Sequence, residues 1–134
     1  MKLVVYVLIL YLMYIYLIPK KHKIYGKIAR NNKELNQGLM FRKKKLQTNE
    51  GMLFPMSYQK NSMWMKNTYL SLDVIFLNES MEVLGFVENT IPLSHASISI
   101  DKKSTNVLEM NAGSIKFHKI KVGDKILFVE MDIL

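Results

Sequence analysis

The sequence predicts a small α+β domain that is rich in β-structure and barrel-like, preceded by an N-terminal membrane anchor helix. The first observation is an unbroken apolar and aromatic run over residues 3–18. The second is a series of short segments that alternate apolar and polar residues, with turn signals at intervals of about eight to twelve residues, which is typical of a strand-rich domain. The third is the absence of cysteine, which leaves packing alone to stabilise the fold. We therefore divide the chain into an anchor with its basic flank, residues 1–23, and a domain, residues 24–134.

The apolar run of sixteen residues is a boundary case for a membrane segment. It is just shorter than the ~17 to 25 residues that span a bilayer and longer than the ~7 to 15 of a signal-peptide apolar region. No small-residue cleavage pattern follows it, because Tyr16, Leu17 and Ile18 are bulky and Pro19 is rigid. The sequence thus predicts an uncleaved anchor with the membrane as partner, and the alternative is a buried core element of a soluble protein.

The positive charge is concentrated beside this run. Residues 19–45 contain ten Lys or Arg and one acid, whereas residues 46–134 contain eight Lys and ten acids. A basic flank next to an apolar run favours anionic lipid headgroups as its partner over nucleic acid. By the positive-inside rule the same flank would leave the domain on the cytoplasmic side.

The first half of the domain has four predicted elements. Residues 24–29 alternate and form a strand or a tether, and Asn31 or Asn32 then caps a helix with Glu34 in its first turn. A turn at residues 48–51 precedes a strand over residues 52–56, which Pro55 marks as an edge strand or a strand end. Residues 72–77 form the next strand.

The second half continues with short elements. A turn at residues 78–80 leads to a strand over residues 81–88, in which Gly85 marks a bulge or a close approach. Further strands follow over residues 97–100, 107–110 and 125–130, with a short helix over residues 113–118. The sequence therefore predicts about six short strands and two short helices.

Residues 63–76 hold the densest mixture of chemistry in the chain, including its only tryptophan. In a functional interpretation they build a ligand pocket: Trp64 offers a flat face, Lys66 a charge for a carboxylate or phosphate, Asn67 and Thr68 hydrogen bonds, and Asp73 a carboxylate. In a structural interpretation Trp64 and Met65 fill the core, Asn67 and Thr68 form a turn, and Asp73 caps it. The sequence leaves both open.

Several short motifs in this order resemble the DUF192 family, also called UPF0127, over residues 38–129. The resemblance implies a small β-rich domain, often behind a signal peptide or an anchor, with no assigned biochemical function. It favours the exported side of the membrane over the cytoplasmic side. The matching residues are Gly38, Leu39, Met40 and Arg42; Gly51, Met52, Leu53 and Phe54; Trp64, Met65, Lys66, Asn67 and Thr68; Leu72, Asp73, Ile75 and Phe76; Val107, Leu108, Glu109 and Gly113; and Gly123 with Asp124.

Arg42 and Glu109 are the other charged residues in these motifs, and we include both among the candidate ligand-binding residues. The predicted function is a non-enzymatic, envelope-associated module that binds a small or anionic ligand, without a cofactor. One alternative is a hydrolase that uses Asp73 and Glu109 as acid and base, if the two carboxyl groups reach one substrate.

A second alternative concerns the methionines Met52, Met56, Met63 and Met65, which lie close together in the sequence. Thioethers select Cu(I), so this cluster predicts a weak copper site. Methionine is also flexible core filler, which is the structural interpretation of the same cluster.

Overall fold

The computed structural model describes residues 1–131, which form three helices and one six-stranded sheet. The helices are α1 (Lys2–Leu17), α2 (Asn32–Gln37) and α3 (Ser114–His118). The strands are β1 (Lys21–Ile28), β2 (Glu50–Gln59), β3 (Leu72–Leu77), β4 (Val83–Val87), β5 (Ser104–Asn111) and β6 (Lys125–Glu130), in the spatial order β4-β3-β5-β2-β1-β6. β1 is parallel to β2 and β6, and the remaining neighbours are antiparallel. The predicted α+β class is confirmed.

The sheet curls into a half-barrel, so that its two edge strands approach each other. The backbone N–H of Val83 donates to the carbonyl of Asp124 at 2.8 Å, and the N–H of Ile126 donates to the carbonyl of Met81 at 2.9 Å. These bonds join the start of β4 to the start of β6. The barrel-like prediction is therefore confirmed as a half-barrel.

Each face of the sheet carries its own hydrophobic cluster, because side chains alternate along every strand. The inner cluster draws residues from all six strands, including both edges, and α3 closes it with Ile115. The outer cluster contains Met52, Phe54, Val74 and Val107 and is covered by residues that follow α2 and precede β3. The chain thus folds as two layers of side chains around one sheet.

The predicted helix start is confirmed in detail. The Asn31 side chain accepts from the N–H of Glu34 at 2.9 Å and caps α2. The interpretation of Pro55 as the mark of an edge strand or a strand end is wrong, because β2 lies inside the sheet between β5 and β1 and continues to Gln59. β1 pairs with β2 only as far as Leu53, so Pro55 lies beyond the β1 ladder, where a missing N–H is tolerated.

The predicted strand over residues 97–100 is wrong. It is reduced to a single bridge in which the N–H groups of Ile98 and Met63 each donate to the other's carbonyl at 2.8 Å. Ile98 and Ile100 instead pack on the outer cluster. The predicted close approach at Gly85 is confirmed, since a Cβ there would lie 3.0 Å from Ile100 Cδ1.

The N-terminal apolar run forms α1, whose side chains are exposed along its whole length. Its 16 residues extend roughly 24 Å, whereas the hydrocarbon core of a bilayer is about 30 Å thick. Within residues 1–131, no helix combines the length and the apolar character that crossing a membrane requires.

Candidate functional site

An open cleft of about 1150 Å³ lies on the outer face of the sheet. Its walls are α2, the second half of β2 and the loop over residues 61–68, and Phe54 lies at its base with Glu109. This volume lies just above the ~300–1,000 Å³ that is usual for small-molecule sites, so a small ligand would fill only part of the cleft. The cleft therefore provides the geometry that the ligand-pocket interpretation requires.

Glu109 is the one buried acid in this cleft. Its register with Met52 on β2 and Val74 on β3 directs its side chain to the outer face, among apolar groups. The residue is 4% exposed, and no group of residues 1–131 donates a hydrogen bond to its carboxyl group. Since no fully enclosed side-chain oxygen in this part of the chain lacks a partner, the carboxyl oxygens keep a small contact with the cleft. Burial raises the pKa of Glu109 to about 8, because the charged form loses its hydration without gaining a partner. At neutral pH the carboxyl group is therefore mostly uncharged.

Gly38 lets α2 end directly above this carboxyl group. Its φ of 48° is in the left-handed region, and a Cβ there would lie 3.2 Å from Phe54 Cζ and 3.9 Å from Glu109 Oε2. A larger residue would have to push into the base of the cleft. The glycine thus keeps Glu109 accessible from the cleft.

Trp64 lies at the rim and is 48% exposed, so the prediction that it fills the core is wrong. Lys66 Nζ lies 5.1 Å from the centre of its ring, and the ring of His95 lies 5.9 Å away on a neighbouring small pocket. A cation over an exposed indole gives a weak attraction, about 0.5–1 kcal/mol. The rim therefore presents an aromatic face and a cation side by side.

Asn67 and Thr68 line the cleft and also shape its wall. Asn67 has a φ of 53°, and its carbonyl accepts from the N–H of Phe41 at 2.8 Å. The Thr68 hydroxyl donates to the carbonyl of Lys66 at 3.1 Å. Asn67 and Thr68 thus form a turn, as the structural interpretation predicts. The same turn positions Trp64 and Lys66 at the rim of the cleft.

Asp73 lies outside the cleft, on the other face of the sheet. It is fully buried opposite Met110, a member of the inner cluster, and its two carboxylate oxygens accept from the N–H groups of Asn89 and Ile115, both at 2.9 Å. Its role is structural. Because Glu109 points to the outer face, the sheet separates the two carboxyl groups, and the hydrolase that pairs them is wrong.

Arg42 is likewise not brought to the cleft. Its Nε donates to the carbonyl of Lys44 at 2.8 Å, and its Nη2 lies 3.6 Å from Oε1 of the buried Glu50. It lines a separate pocket of about 260 Å³ on the far side of Gly38. Of the seven candidate residues, the structure therefore brings five together: Trp64, Lys66, Asn67, Thr68 and Glu109.

The methionine cluster is divided between core and cleft. Met52 and Met65 are buried in the outer cluster, which is the structural interpretation. Met56 and Met63 are partly buried and line the cleft. Two thioethers therefore face the site where the copper hypothesis counted four.

α2 contributes a wall of the cleft that the sequence does not predict. Lys33 and Gln37 both line the cleft and lie four residues apart, which places them on one face of the helix. The sequence contains that spacing, but it does not show which part of the domain this face of the helix lies against. His95 was also missed, since nothing in its loop indicates contact with Trp64.

The fold and the site define a small α+β half-barrel with a buried carboxyl group in an open cleft. The DUF192 family model, described as "Uncharacterized ACR", matches residues 16–128. The chain belongs to the DUF192 family.

Two solved structures are similar in fold and sequence. A Sinorhizobium meliloti protein, provisionally described as a transcription regulator, is 36% identical with a TM-score of 0.71, and the match covers 75% of this chain and 78% of that one. A Novosphingobium aromaticivorans protein of unknown function is 34% identical with a TM-score of 0.70, covering 75% of this chain and 71% of that one. The comparison with curated proteins finds no match.

Proposed function

We propose that this protein is a membrane-attached, non-enzymatic binding module whose cleft takes an uncharged or anionic ligand with hydroxyl or amide groups. The observation that carries the proposal is Glu109, which is 4% exposed and whose carboxyl group is bonded by no group of the described residues and opens only to the cleft. Such a group loses most of its contact with water in the folded state, which costs free energy. A ligand in the cleft that hydrogen-bonds to the carboxyl group would offset this cost.

The proposed ligand class follows from the charges around the cleft. An uncharged carboxyl group presents one O–H donor and one carbonyl acceptor, which match a hydroxyl or an amide. Lys33 and Lys66 line the same cleft and would repel a cation. Gln37 and Asn67 add amide groups to the walls. These features favour an uncharged polar ligand over an amine.

Trp64 supports the proposal as a stacking surface. Its half-exposed ring lies on the cleft rim, and a planar or ring-shaped ligand would cover it. Because it is the only tryptophan in the chain, its fluorescence reports on the cleft without interference.

The proposed attachment to the membrane uses residues 3–18, on the exported side. α1 is apolar and exposed along its length, and lysine side chains at its flank together with local bilayer thinning would compensate for its short length. Protease digestion of intact spheroplasts tests the side: exported domains are degraded, whereas cytoplasmic ones are protected until lysis.

The binding proposal is tested by titrating Trp64 fluorescence at pH 7 with a panel of sugars, polyols and amides. The panel includes the matched pair N-acetylglucosamine and glucosamine, which differ in charge at the same nitrogen. We expect uncharged compounds to shift the emission, and Lys66→Ala to weaken that response without lowering the melting temperature. Lys103→Ala is the matched control, because Lys103 Nζ lies 5.5 Å over Tyr58 outside the cleft.

Glu109 variants separate the roles of shape and charge in the same titration. Glu109→Gln keeps a donor and an acceptor and is expected to retain binding, whereas Glu109→Leu removes both and is expected to abolish it. A preference for the cationic members of the panel, or no response to any member, would contradict the proposal.

A further inference from the structure

A basic face surrounds the point at which α1 joins the domain, formed by Lys20, Lys21, Lys121 and Lys125. Lys21 is in register with Lys125 at the starts of β1 and β6, and the N–H of Lys125 donates to the carbonyl of Lys20 at 2.8 Å. All four side chains are exposed, and none forms an ion pair with an acidic side chain of residues 1–131. Residues about a hundred positions apart in the sequence therefore form one cationic surface.

Asp124 lies beneath the basic face and hydrogen-bonds to two of its segments. Its carboxylate accepts from the N–H of Lys20 and from the N–H of Lys121, both at 3.0 Å, and His22 Nε2 lies 2.8 Å from it. Asp124 itself is buried. The acid thus fixes the backbone geometry of the basic face, while the lysine side chains are exposed at the surface.

An apolar side chain stands among these cations. Val122 is 58% exposed at the tip of a turn, in which the N–H of Asp124 donates to the carbonyl of Lys121 at 3.1 Å. Lys121 Nζ lies 3.8 Å from the ring centre of Tyr16, in the last turn of α1. The basic face is therefore continuous with the apolar surface of the helix.

We propose that the basic face docks on anionic phospholipid headgroups, with Val122 at the boundary between headgroups and acyl chains. The inference rests on the proposed insertion of residues 3–18 into the membrane. A helix of roughly 24 Å in a hydrocarbon core of about 30 Å draws its flanks to headgroup depth, so the domain surface nearest Tyr16 has to meet the headgroups. That surface carries four lysine charges and one neighbouring acid, Glu82, which lies opposite Lys125 in an isolated bridge. Its net charge remains positive, and anionic headgroups attract such clusters.

Docking in this orientation leaves the ligand cleft open to solution. β1, β2 and β6 run in parallel, and the basic face lies at their starting end. The cleft is lined by the second half of β2, from Phe54 to Gln59, near the other end. The bilayer would therefore hold the domain with the cleft directed away from the lipid.

The test uses the full chain with a single reporter, Trp64→Phe combined with Val122→Trp, mixed with vesicles carrying brominated acyl chains. One set of vesicles is phosphatidylcholine, and the other contains about one-third phosphatidylglycerol. Flotation measures membrane attachment, and bromine quenching measures the depth of the reporter. We expect flotation with both sets and at least twofold stronger quenching in the anionic set, a difference that about 0.5 M salt removes.

Charge variants identify the surface responsible. Lys121→Ala with Lys125→Ala is expected to remove the extra quenching without preventing flotation. Lys102→Ala with Lys103→Ala is the matched control and is expected to leave the quenching unchanged, since these lysines precede β5 at the opposite end of the sheet.

Three results would overturn the inference in distinguishable ways. Flotation with equal quenching in both vesicle sets removes the docking and leaves the attachment intact. Failure to float with either set removes the attachment and the docking with it. A concentration-dependent blue shift of the reporter without vesicles shows that a second copy of the chain covers this face instead.

Discussion

Two buried carboxyl groups on neighbouring strands, Asp73 on β3 and Glu109 on β5, have opposite environments. Asp73 is fully buried and accepts two backbone N–H groups, whereas Glu109 is almost as buried and has no partner among residues 1–131. Only Glu109 reaches the cleft. Burial alone therefore does not show what an acid does: backbone donors hold the Asp73 carboxylate, whereas the Glu109 carboxyl group opens to the cleft.

The largest effect is expected for Asp73→Ala. The substitution leaves the N–H groups of Asn89 and Ile115 buried without an acceptor, and we expect it to lower the free energy of unfolding by about 3–5 kcal/mol. Urea denaturation measures this loss. Asp73→Asn is the control that keeps one acceptor oxygen and the side-chain volume, and it should lose about half as much. A loss below about 1 kcal/mol for the alanine variant would contradict the structural role.

Glu109→Gln is expected to act in the opposite direction and to depend on pH. The folded-state pKa of about 8 lies above the ordinary value of 4.5, so wild-type stability falls as pH rises from 4.5 to 8 and is level above that. Each pH unit in this window costs about 1.4 kcal/mol. The glutamine variant avoids this cost and should be more stable at pH 8 by on the order of 3 kcal/mol or more.

Thermal unfolding of both proteins between pH 4 and pH 9 measures the difference. The curves should converge at low pH, where Glu109 is uncharged in both the folded and the unfolded chain. Parallel curves across the whole range would show that Glu109 does not titrate in this window.

Asp124→Asn tests an acid with partners that lies nearer the surface. Burial opposes its charge, but hydrogen bonds from His22 and from the N–H groups of Lys20 and Lys121 outweigh burial and lower the pKa of Asp124. A lowered pKa contributes stability that is present above the ordinary value and lost as pH falls through the folded-state value. At pH 7 we expect the free energy of unfolding of the variant to be about 1 kcal/mol lower than that of the wild type. On acidification below about pH 4, the free energy of unfolding should fall less for the variant than for the wild type. Denaturation at the two pH values checks both statements.

Lys66→Ala is expected to have the smallest effect on stability. The cation–π contact with Trp64 is exposed, so its loss should change the free energy of unfolding by less than about 1 kcal/mol. Lys103→Ala removes a similar contact elsewhere and should match it in a denaturation experiment. A loss of more than about 2 kcal/mol for Lys66→Ala alone would assign Lys66 to the scaffold instead of the site.

Much of the fold was predictable from the sequence, because local signals determine it. The Asn31 cap, the alternation in residues 72–77 and the glycine-marked turns all act within a few residues. The failures involve partners distant in sequence. In the sequence, Pro55 indicates an edge strand or a strand end, because the extent of the β1 ladder is not a local property. Residues 97–100 alternate as a strand does but form only one bridge.

The candidate site was predictable only in part, for the same reason. Trp64, Lys66, Asn67 and Thr68 are adjacent in sequence and remain together at the cleft. In the sequence, Asp73 and Glu109 are both acids within predicted strands and cannot be told apart. The strand register that directs their side chains to opposite faces of the sheet cannot be inferred from the residues next to them. The contribution of α2 depends on a packing contact that one sequence does not reveal.

The most direct test of the account is the titration of the Glu109 side chain in the folded protein, followed by the NMR chemical shift of its carboxyl carbon. Glu109→Gln identifies the resonance. We expect a midpoint at about 8, the result of burial without a protein partner. A midpoint near the ordinary value of 4.5 would show that the carboxyl group is already well solvated or hydrogen-bonded, and would contradict the proposal that it is available to a ligand in the cleft.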